Sequence, residues 1–218
     1  MVITQFHAYT MDRNQSVQKF TNKLLKNPVD YCIIIIINLS KRKKRGEVVN
    51  FEANGMLPSG LHEYSFDQFM AQFVDGVPTS QTRKEIANAL VNFSKEIYAI
   101  GIPYEFWVDG SYVTTKTNPN DADIVVFLQV PAASVIFPIW NSLRQKYSKW
   151  LDIYFAYATS PENQRVLSPN DYQQVVNKRN YWRGQFGFDR ADNPKGIVKI
   201  DCQSLLDYIK GGDIDATN

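Results

Sequence analysis

The chain has 218 residues and a mass of 25.0 kDa, and its 24 basic against 22 acidic residues give a formal net charge of +2 at pH 7. With 44% hydrophobic and 21% charged residues, the composition is that of a globular protein long enough to bury a sizeable core. So small a net charge gives no argument from bulk electrostatics for binding to nucleic acid. The two cysteines, Cys32 and Cys202, indicate neither a disulfide framework nor a zinc cluster, so the cytoplasm is the expected compartment.

Residues 1–50 are expected to form an N-terminal extension made of a helix and a hairpin. Asn14 can cap a helix that ends before Pro28, and the range Tyr31 to Leu39 has the composition of a buried strand. Its isoleucine run is far shorter than the ~20 apolar residues of a membrane-spanning helix, and neither a signal peptide nor membrane association is predicted. The basic run Lys41 to Arg45 fits a solvated loop that protects an edge strand, or a contact with nucleic acid or a partner.

Residues 51–160 are expected to form the central domain, in which two capping boxes mark the beginnings of helices. The pair Ser65–Gln68 precedes a short amphipathic helix. The pair Thr82–Glu85 precedes the clearest helix of the chain, whose apolar residues follow helical spacing as far as Gly101. His62 is expected in a loop, with a structural role favoured over that of a general base.

The range Phe106 to Leu128 predicts two strands joined by a polar loop. At the end of the first strand, Gly110 allows the backbone to approach a bulky anion, and Ser111 offers a hydroxyl and an N–H donor. Because side chains alternate along a strand, Asp121 and Asp123 point to one face where the second strand begins. Two carboxylates held this close favour a divalent cation, and hard oxygen ligands suit Mg²⁺ or Mn²⁺.

A further carboxylate, Asp152, lies within the apolar range Trp150 to Phe155, which predicts a third strand. Three acidic residues on neighbouring strands would complete a site for two metal ions. Between the second and third strands, aromatic and leucine residues at helical spacing predict an amphipathic helix that begins near Pro138.

The C-terminal part is expected to pack on the core over residues 161–210 and to be disordered over residues 211–218. Ser168 and Pro169 have the capping pattern of a helix start, and the range Ile197 to Ile200 predicts a strand after a turn.

Three basic residues of this part are candidate phosphate ligands. Arg179 and Arg183 are four residues apart on the same predicted helix face, and guanidinium groups match phosphate oxygens. Lys195, beside Gly196, could also approach a phosphate closely. The alternatives are a surface turn for the lysine and, for the two arginines, ion pairs with acids such as Asp171, Asp189 and Asp192.

The order of these motifs resembles that of the nucleotidyltransferase superfamily, which includes DNA polymerase beta and the minimal nucleotidyltransferases. The resemblance rests on the Gly-Ser pair, the following Asp-x-Asp and the Asp of a later strand, over roughly residues 79–158. The range Gly55 to His62 and the range Trp182 to Gly196 resemble, more narrowly, a prokaryotic branch of that superfamily that brings no known substrate with it, so that the coverage extends to about residues 51–201.

The resemblance implies an α+β fold with a mixed β-sheet and helices packed against it. It also implies that Gly110 and Ser111 hold the phosphates of a nucleotide and that Asp121 and Asp123 ligate metal. Asp152 would ligate metal and help to activate the attacking hydroxyl.

The expected function is therefore metal-dependent transfer of a nucleoside monophosphate from a nucleoside triphosphate, expected to be ATP, to a hydroxyl group. A protein or a small molecule is the favoured acceptor, and nucleic acid is less favoured because basic surface is scarce. A role in a toxin–antitoxin or defence system fits the short relatives of this superfamily. The alternative is a non-catalytic, antitoxin-like module on the same fold that binds a nucleotide or a partner protein.

Overall fold

The fold is seen in a computed structural model that describes residues 49–101 and 103–214. These residues belong to one of the two units into which the chain divides, residues 41–218. The predictions for the N-terminal helix, strand and basic run fall in residues 1–48 and lie outside the described residues.

One five-stranded mixed sheet organises the described part of the chain. Its order is β1-β5-β2-β3-β4, with β1–β5 and β3–β4 parallel and β5–β2 and β2–β3 antiparallel. The predicted mixed sheet with packed helices is thus confirmed. The strand bounds are β1 Gly60–Tyr64, β2 Glu105–Asp109, β3 Ala122–Leu128, β4 Leu151–Tyr157 and β5 Gly196–Ile200.

Helices connect the strands and cover the sheet. The first begins at a confirmed capping box, in which Ser65 and Gln68 satisfy each other's backbone N–H groups, and it continues into a π-helical turn over Ala71–Asp75. Short 3₁₀ turns cover Ser111–Val113 and Phe137–Ile139. The α-helix bounds are α1 Phe66–Met70, α2 Arg83–Ile100, α3 Val130–Ile136, α4 Trp140–Tyr147, α5 Pro161–Val166, α6 Pro169–Phe186 and α7 Cys202–Ile214.

Strand alternation divides the sheet residues between two unequal apolar clusters. The larger cluster lies under α1, α2, α3, α4 and α7 and takes every second residue of the central strands, among them Phe106, Val108, Ile124, Val126, Ile153 and Phe155. The smaller cluster lies on the opposite face, where α6 packs Trp182 and Phe186 against Trp107, Val125 and Phe127. The acidic residues predicted at the strand ends alternate in step with this second set of residues, so their side chains lie on the second face.

The helix α2 begins where the sequence predicts, but the predicted capping box is wrong. The Thr82 hydroxyl donates to the Pro119 carbonyl at 2.7 Å instead of capping the helix. Ser80 Oγ accepts the N–H groups of Thr82 and Arg83, at 3.3 and 3.1 Å. The physical reason is that the loop before β3 crosses this helix end and supplies a carbonyl acceptor that local spacing does not reveal.

The prediction that His62 lies in a loop is also wrong, because the residue belongs to the edge strand β1. Its ring Nε2 lies 2.6 Å from the Pro58 carbonyl oxygen, which fits the favoured structural role.

The C-terminal segment enters the sheet, because β5 lies between β1 and β2. The last helix covers Cys202–Ile214, and the disorder of residues 211–218 stays a prediction. Buried Leu205 and Ile209 anchor this helix to the larger apolar cluster, which explains why two glycines do not end it sooner.

Candidate functional site

Three aspartates form a row across the central strands. The antiparallel register places Asp109 opposite Asp123, and the parallel register places Asp123 opposite Asp152. All three residues lie at the same end of β2, β3 and β4, on the face that α6 covers in part. We call these three residues the carboxylate row. Asp123 and Asp152 are predicted site residues, whereas sequence reasoning did not assign a role to Asp109.

Gly110 lies in direct contact with the middle of the row. Its φ of +82° falls in the region that favours glycine, and a Cβ atom there would lie 2.3 Å from Asp123 Oδ2. Ser111 follows and begins the 3₁₀ turn. The predicted neighbourhood of Gly110, Ser111 and Asp123 is therefore found.

A buried arginine holds this turn in place. Arg83, at the beginning of α2, is fully buried, and its guanidinium donates to backbone carbonyl oxygens at 2.6 to 3.2 Å. Burial lowers the pKa of Arg83, the expected direction for a cation removed from water. Because most of these carbonyls directly follow Ser111, Arg83 fixes the position of the Gly-Ser turn. The accepting carbonyls belong to Phe73, Tyr112, Thr114 and Lys116.

At the β2 end of the row, Asp109 forms a buried ion pair with Lys195. Lys195 Nζ lies 2.6 Å from Asp109 Oδ2, and the two side chains are only 11% and 5% exposed. Burial raises the pKa of Asp109, and the lysine offsets only part of that effect. Within the described residues, Asp109 Oδ1 is buried without a hydrogen-bond partner.

At the β4 end of the row, Asp152 pairs with an arginine and a tyrosine. Arg144, from the last turn of α4, places its Nη2 3.0 Å from Asp152 Oδ1. The Tyr154 hydroxyl donates to Asp152 Oδ2 at 2.5 Å, and burial together with this bond raises the pKa of Tyr154. Both carboxylate oxygens of Asp152 therefore have a partner.

The central carboxylate, Asp123, lies between the other two acids of the row. Burial raises its pKa to about 6, and the charges of Asp109, Asp121 and Asp152 add to the effect while Lys195 opposes it. Among residues 49–101 and 103–214, no basic side chain lies within ion-pair distance of Asp123. Asp121 is exposed just before β3 and approaches the row from solvent.

The residues present fit a divalent cation in their donor chemistry. Carboxylate oxygens are the ligands that Mg²⁺ and Mn²⁺ prefer, and a cation bound there would oppose the burial and the neighbouring carboxylates that raise the pKa of Asp123. The described side chains contain no group of three or more His, Cys, Asp or Glu already gathered as a metal site, and Asp152 is turned toward Arg144 and Tyr154. Metal binding by Asp121, Asp123 and Asp152 thus stays a prediction.

Two depressions flank the row. On the β4 side, an open cleft of about 420 Å³ lies between that strand and α4, and we call it the α4 cleft. Its lining residues are Asp121, Arg144, Gln145, Ser148, Leu151 and Asp152. On the β5 side, a depression of about 250 Å³ includes Lys195, Arg183 and the exposed ring of Phe188.

The three candidate phosphate ligands have different surroundings. Arg179 is engaged with buried Glu105, through Nη1 to Oε2 at 2.5 Å and Nη2 to Oε1 at 3.2 Å, and it lies 4.5 Å from the Trp107 ring centroid. Arg179 thus forms an ion pair, as the alternative interpretation predicted, but its partner is Glu105 and not a surface acid. Lys195 reaches the row, and Arg183 lines the depression beside it. Phosphate binding by these residues stays a prediction.

The site residues that the sequence did not reveal are Asp109, Arg83, Arg144 and Tyr154. One signal for Asp109 was present, since it immediately precedes the Gly-Ser pair in a strand whose partner carries Asp123. The other three are recognised only through contacts made after folding.

The described residues thus form a mixed α/β fold, and its candidate site is the carboxylate row beside a glycine-serine turn. The chain belongs to a family of unknown function (DUF6932), whose model matches residues 49–201. No curated protein and no solved structure matches the chain. In the described part of the chain, no helix has the length and apolar character needed to cross a membrane.

Proposed function

We propose that this protein is a metal-dependent nucleotidyltransferase, which transfers a nucleoside monophosphate from a nucleoside triphosphate to a hydroxyl of a protein or small-molecule acceptor. The observation that carries the proposal is the contact between Gly110 and Asp123 in the middle of the carboxylate row. This contact brings a backbone suited to an anion next to acids suited to a cation. The resemblance to the nucleotidyltransferase superfamily supports the same assignment, as an analogy of motif.

Three aspartates of the site have a part in this proposal. Asp121 and Asp123 would hold Mg²⁺ or Mn²⁺, with Asp152 as a third ligand. Bound there, the cations would lower the pKa of the acceptor hydroxyl and neutralise charge on the phosphates. Asp152 would also orient the acceptor hydroxyl, since its carboxylate borders the α4 cleft.

The phosphates are assigned to the β2 side of the row. Gly110 and Ser111 would contact them through backbone N–H groups and the serine hydroxyl, and Lys195 would supply a positive charge. The acceptor oxygen would attack the α-phosphorus, the bond to the β-phosphate oxygen would break, and pyrophosphate would leave. Arg183 and the depression around it lie on this same side of the sheet.

The experiment that tests this proposal incubates the purified chain with each α-labelled nucleoside triphosphate, Mg²⁺ or Mn²⁺ and a cell lysate. Asp123→Asn removes the central carboxylate and is expected to abolish label transfer. Asp207→Asn is the matched control, since this exposed carboxylate lies on α7 at the opposite face of the sheet, and it is expected to retain full transfer. Equal labelling by both variants would overturn the assignment.

One observation favours the alternative of a non-catalytic binding module. Both oxygens of Asp152 are engaged by Arg144 and Tyr154, as in a structural ion pair. In that case the chain would bind a nucleotide or a partner protein without transferring label. Calorimetry would then show that the wild type and a variant with Asp121, Asp123 and Asp152 all changed to asparagine bind the nucleotide or the partner protein with the same affinity.

A further inference from the structure

The ion pairs at the two ends of the carboxylate row differ in how easily they can open. Lys195 and Asp109 are almost fully buried, so separating them would leave charges stranded in a low dielectric. Arg144 and Asp152 are 41% and 38% exposed, and they lie in the wall of the α4 cleft. A half-exposed pair gains little net free energy, so an incoming ion can replace either partner.

The position of Arg144 conflicts with the proposed role of Asp152. An oxygen that accepts a hydrogen bond from a guanidinium is less available to a metal ion. The Arg144 guanidinium carbon lies 5.3 Å from the Tyr154 ring centroid, and once Asp152 turns toward a cation this guanidinium loses its counter-charge. An unpaired guanidinium in a polar cleft is a binding group for an anion, and guanidinium forks match phosphate and carboxylate oxygens.

We propose, on the basis of the proposed function, that the α4 cleft binds an acceptor carrying an anionic oxygen group, and that Arg144 exchanges Asp152 for that group. The substrate class is thus a hydroxyl compound that also bears a phosphate or a carboxylate. Gln145 and Ser148 line the same cleft and supply neutral hydrogen-bonding groups beside Arg144. Without an anion, Arg144 stays paired with Asp152 and weakens cation binding. When an anion binds Arg144, the carboxylate of Asp152 becomes free to bind the cation.

The test measures Mn²⁺ binding by the loss of the free-ion electron paramagnetic resonance signal, with no nucleotide present. Sulfate replaces chloride as a phosphate-like probe, and acetate is the carboxylate probe. For the wild type, we expect the anion that matches the cleft to tighten Mn²⁺ binding about fivefold. This ratio corresponds to the small free energy that a half-exposed ion pair contributes. The stronger effect of sulfate or of acetate identifies the anionic group.

The variants separate a specific exchange from a general effect of salt. Arg144→Ala and Arg144→Gln are expected to bind Mn²⁺ about fivefold more tightly than the wild type in chloride, and to gain nothing from the anions. Lys146→Ala is the matched control, because this lysine lies on the same helix but pairs with Glu96 outside the cleft. It is expected to behave as the wild type does.

Three results would overturn the proposal, and they can be distinguished. If Mn²⁺ binding depends on Asp123 but is the same with and without Arg144, the exchange is refuted while the proposed function stands. If neither the wild type nor any Arg144 variant binds Mn²⁺, the proposed metal site fails and the exchange fails with it. An equal anion effect in the wild type and in Arg144→Ala also refutes the exchange, since the anion would then act elsewhere.

Discussion

At the scale of single residues, Gly110 is where backbone conformation and the carboxylate row meet. Its positive φ and the 2.3 Å approach of Asp123 Oδ2 to an added Cβ both require glycine. We expect Gly110→Ala to lower the free energy of unfolding by about 2 kcal/mol, measured by urea denaturation. Gly184→Ala is the control, since an added Cβ there meets nothing within 4 Å, and this change within α6 is expected to stabilise by about 0.5 to 1 kcal/mol.

The carboxyl group of Asp123 is expected to make the stability of the protein depend on pH. The pKa of Asp123 rises from 3.8 to about 6 on folding, so the folded state binds the proton more tightly than the unfolded state does. The resulting stabilisation is present below about pH 4 and is lost as the pH rises to about 6, with a change of about 2 kcal/mol.

Asp123→Asn isolates this contribution. The difference in unfolding free energy between the variant and the wild type is expected to increase in favour of the variant between about pH 4 and pH 6, measured by urea denaturation at each pH. A difference that stays constant over this interval would show that Asp123 has an ordinary pKa. We also expect Mg²⁺ at pH 7.5 to raise the melting temperature of the wild type and to leave that of the variant unchanged.

At the scale of elements, Arg83 joins the beginning of α2 to the loop that follows the Gly-Ser turn. Removing this guanidinium would leave several buried carbonyl oxygens without donors. We expect Arg83→Met to destabilise the protein by about 3 to 5 kcal/mol, measured by urea denaturation. Lys84→Met, one residue further along the same helix and exposed, is expected to change stability by no more than about 0.5 kcal/mol, and an equal effect of the two changes would contradict this account.

The elements also show how far the sequence alone could lead. Periodicity correctly predicted β2, β3, β4 and α2, because each has a long apolar stripe or a run of buried residues, whereas the start of α6 was predicted from the capping pattern of Ser168 and Pro169. It missed β1, a five-residue edge strand in which His62 and Glu63 follow a glycine and two of the five residues are exposed. Such a strand has too little alternation to be recognised from its own residues.

The same limit applies to the site. Gly110, Ser111, Asp121 and Asp123 could be predicted because they lie in one local motif. The partners could not, because Lys195 pairs with a residue 86 positions away and Arg179 with one 74 positions away. The contact of Lys195 depends on the insertion of β5 beside β2, and that of Arg179 depends on the packing of α6 against the sheet. Spacing within the motif encodes neither.

At the scale of the whole molecule, the C-terminal segment is part of the central sheet. The strand β5 joins β1 to β2, so its loss would detach β1 from the sheet and remove one wall of the larger apolar cluster. A chain that ends at Lys195 is expected to lose cooperative thermal unfolding by circular dichroism. A chain that ends at Lys210 keeps buried Leu205 and Ile209 and is expected to remain folded.

Nucleotidyl transfer at the carboxylate row can be tested by comparing α-labelled with γ-labelled ATP in the presence of Mg²⁺ and a cell lysate. We expect label from the α position to appear on an acceptor and label from the γ position to leave as pyrophosphate, and we expect Asp123→Asn to abolish both. Label from the γ position on the acceptor would indicate phosphoryl transfer instead. Transfer that persists undiminished in Asp123→Asn would contradict the account.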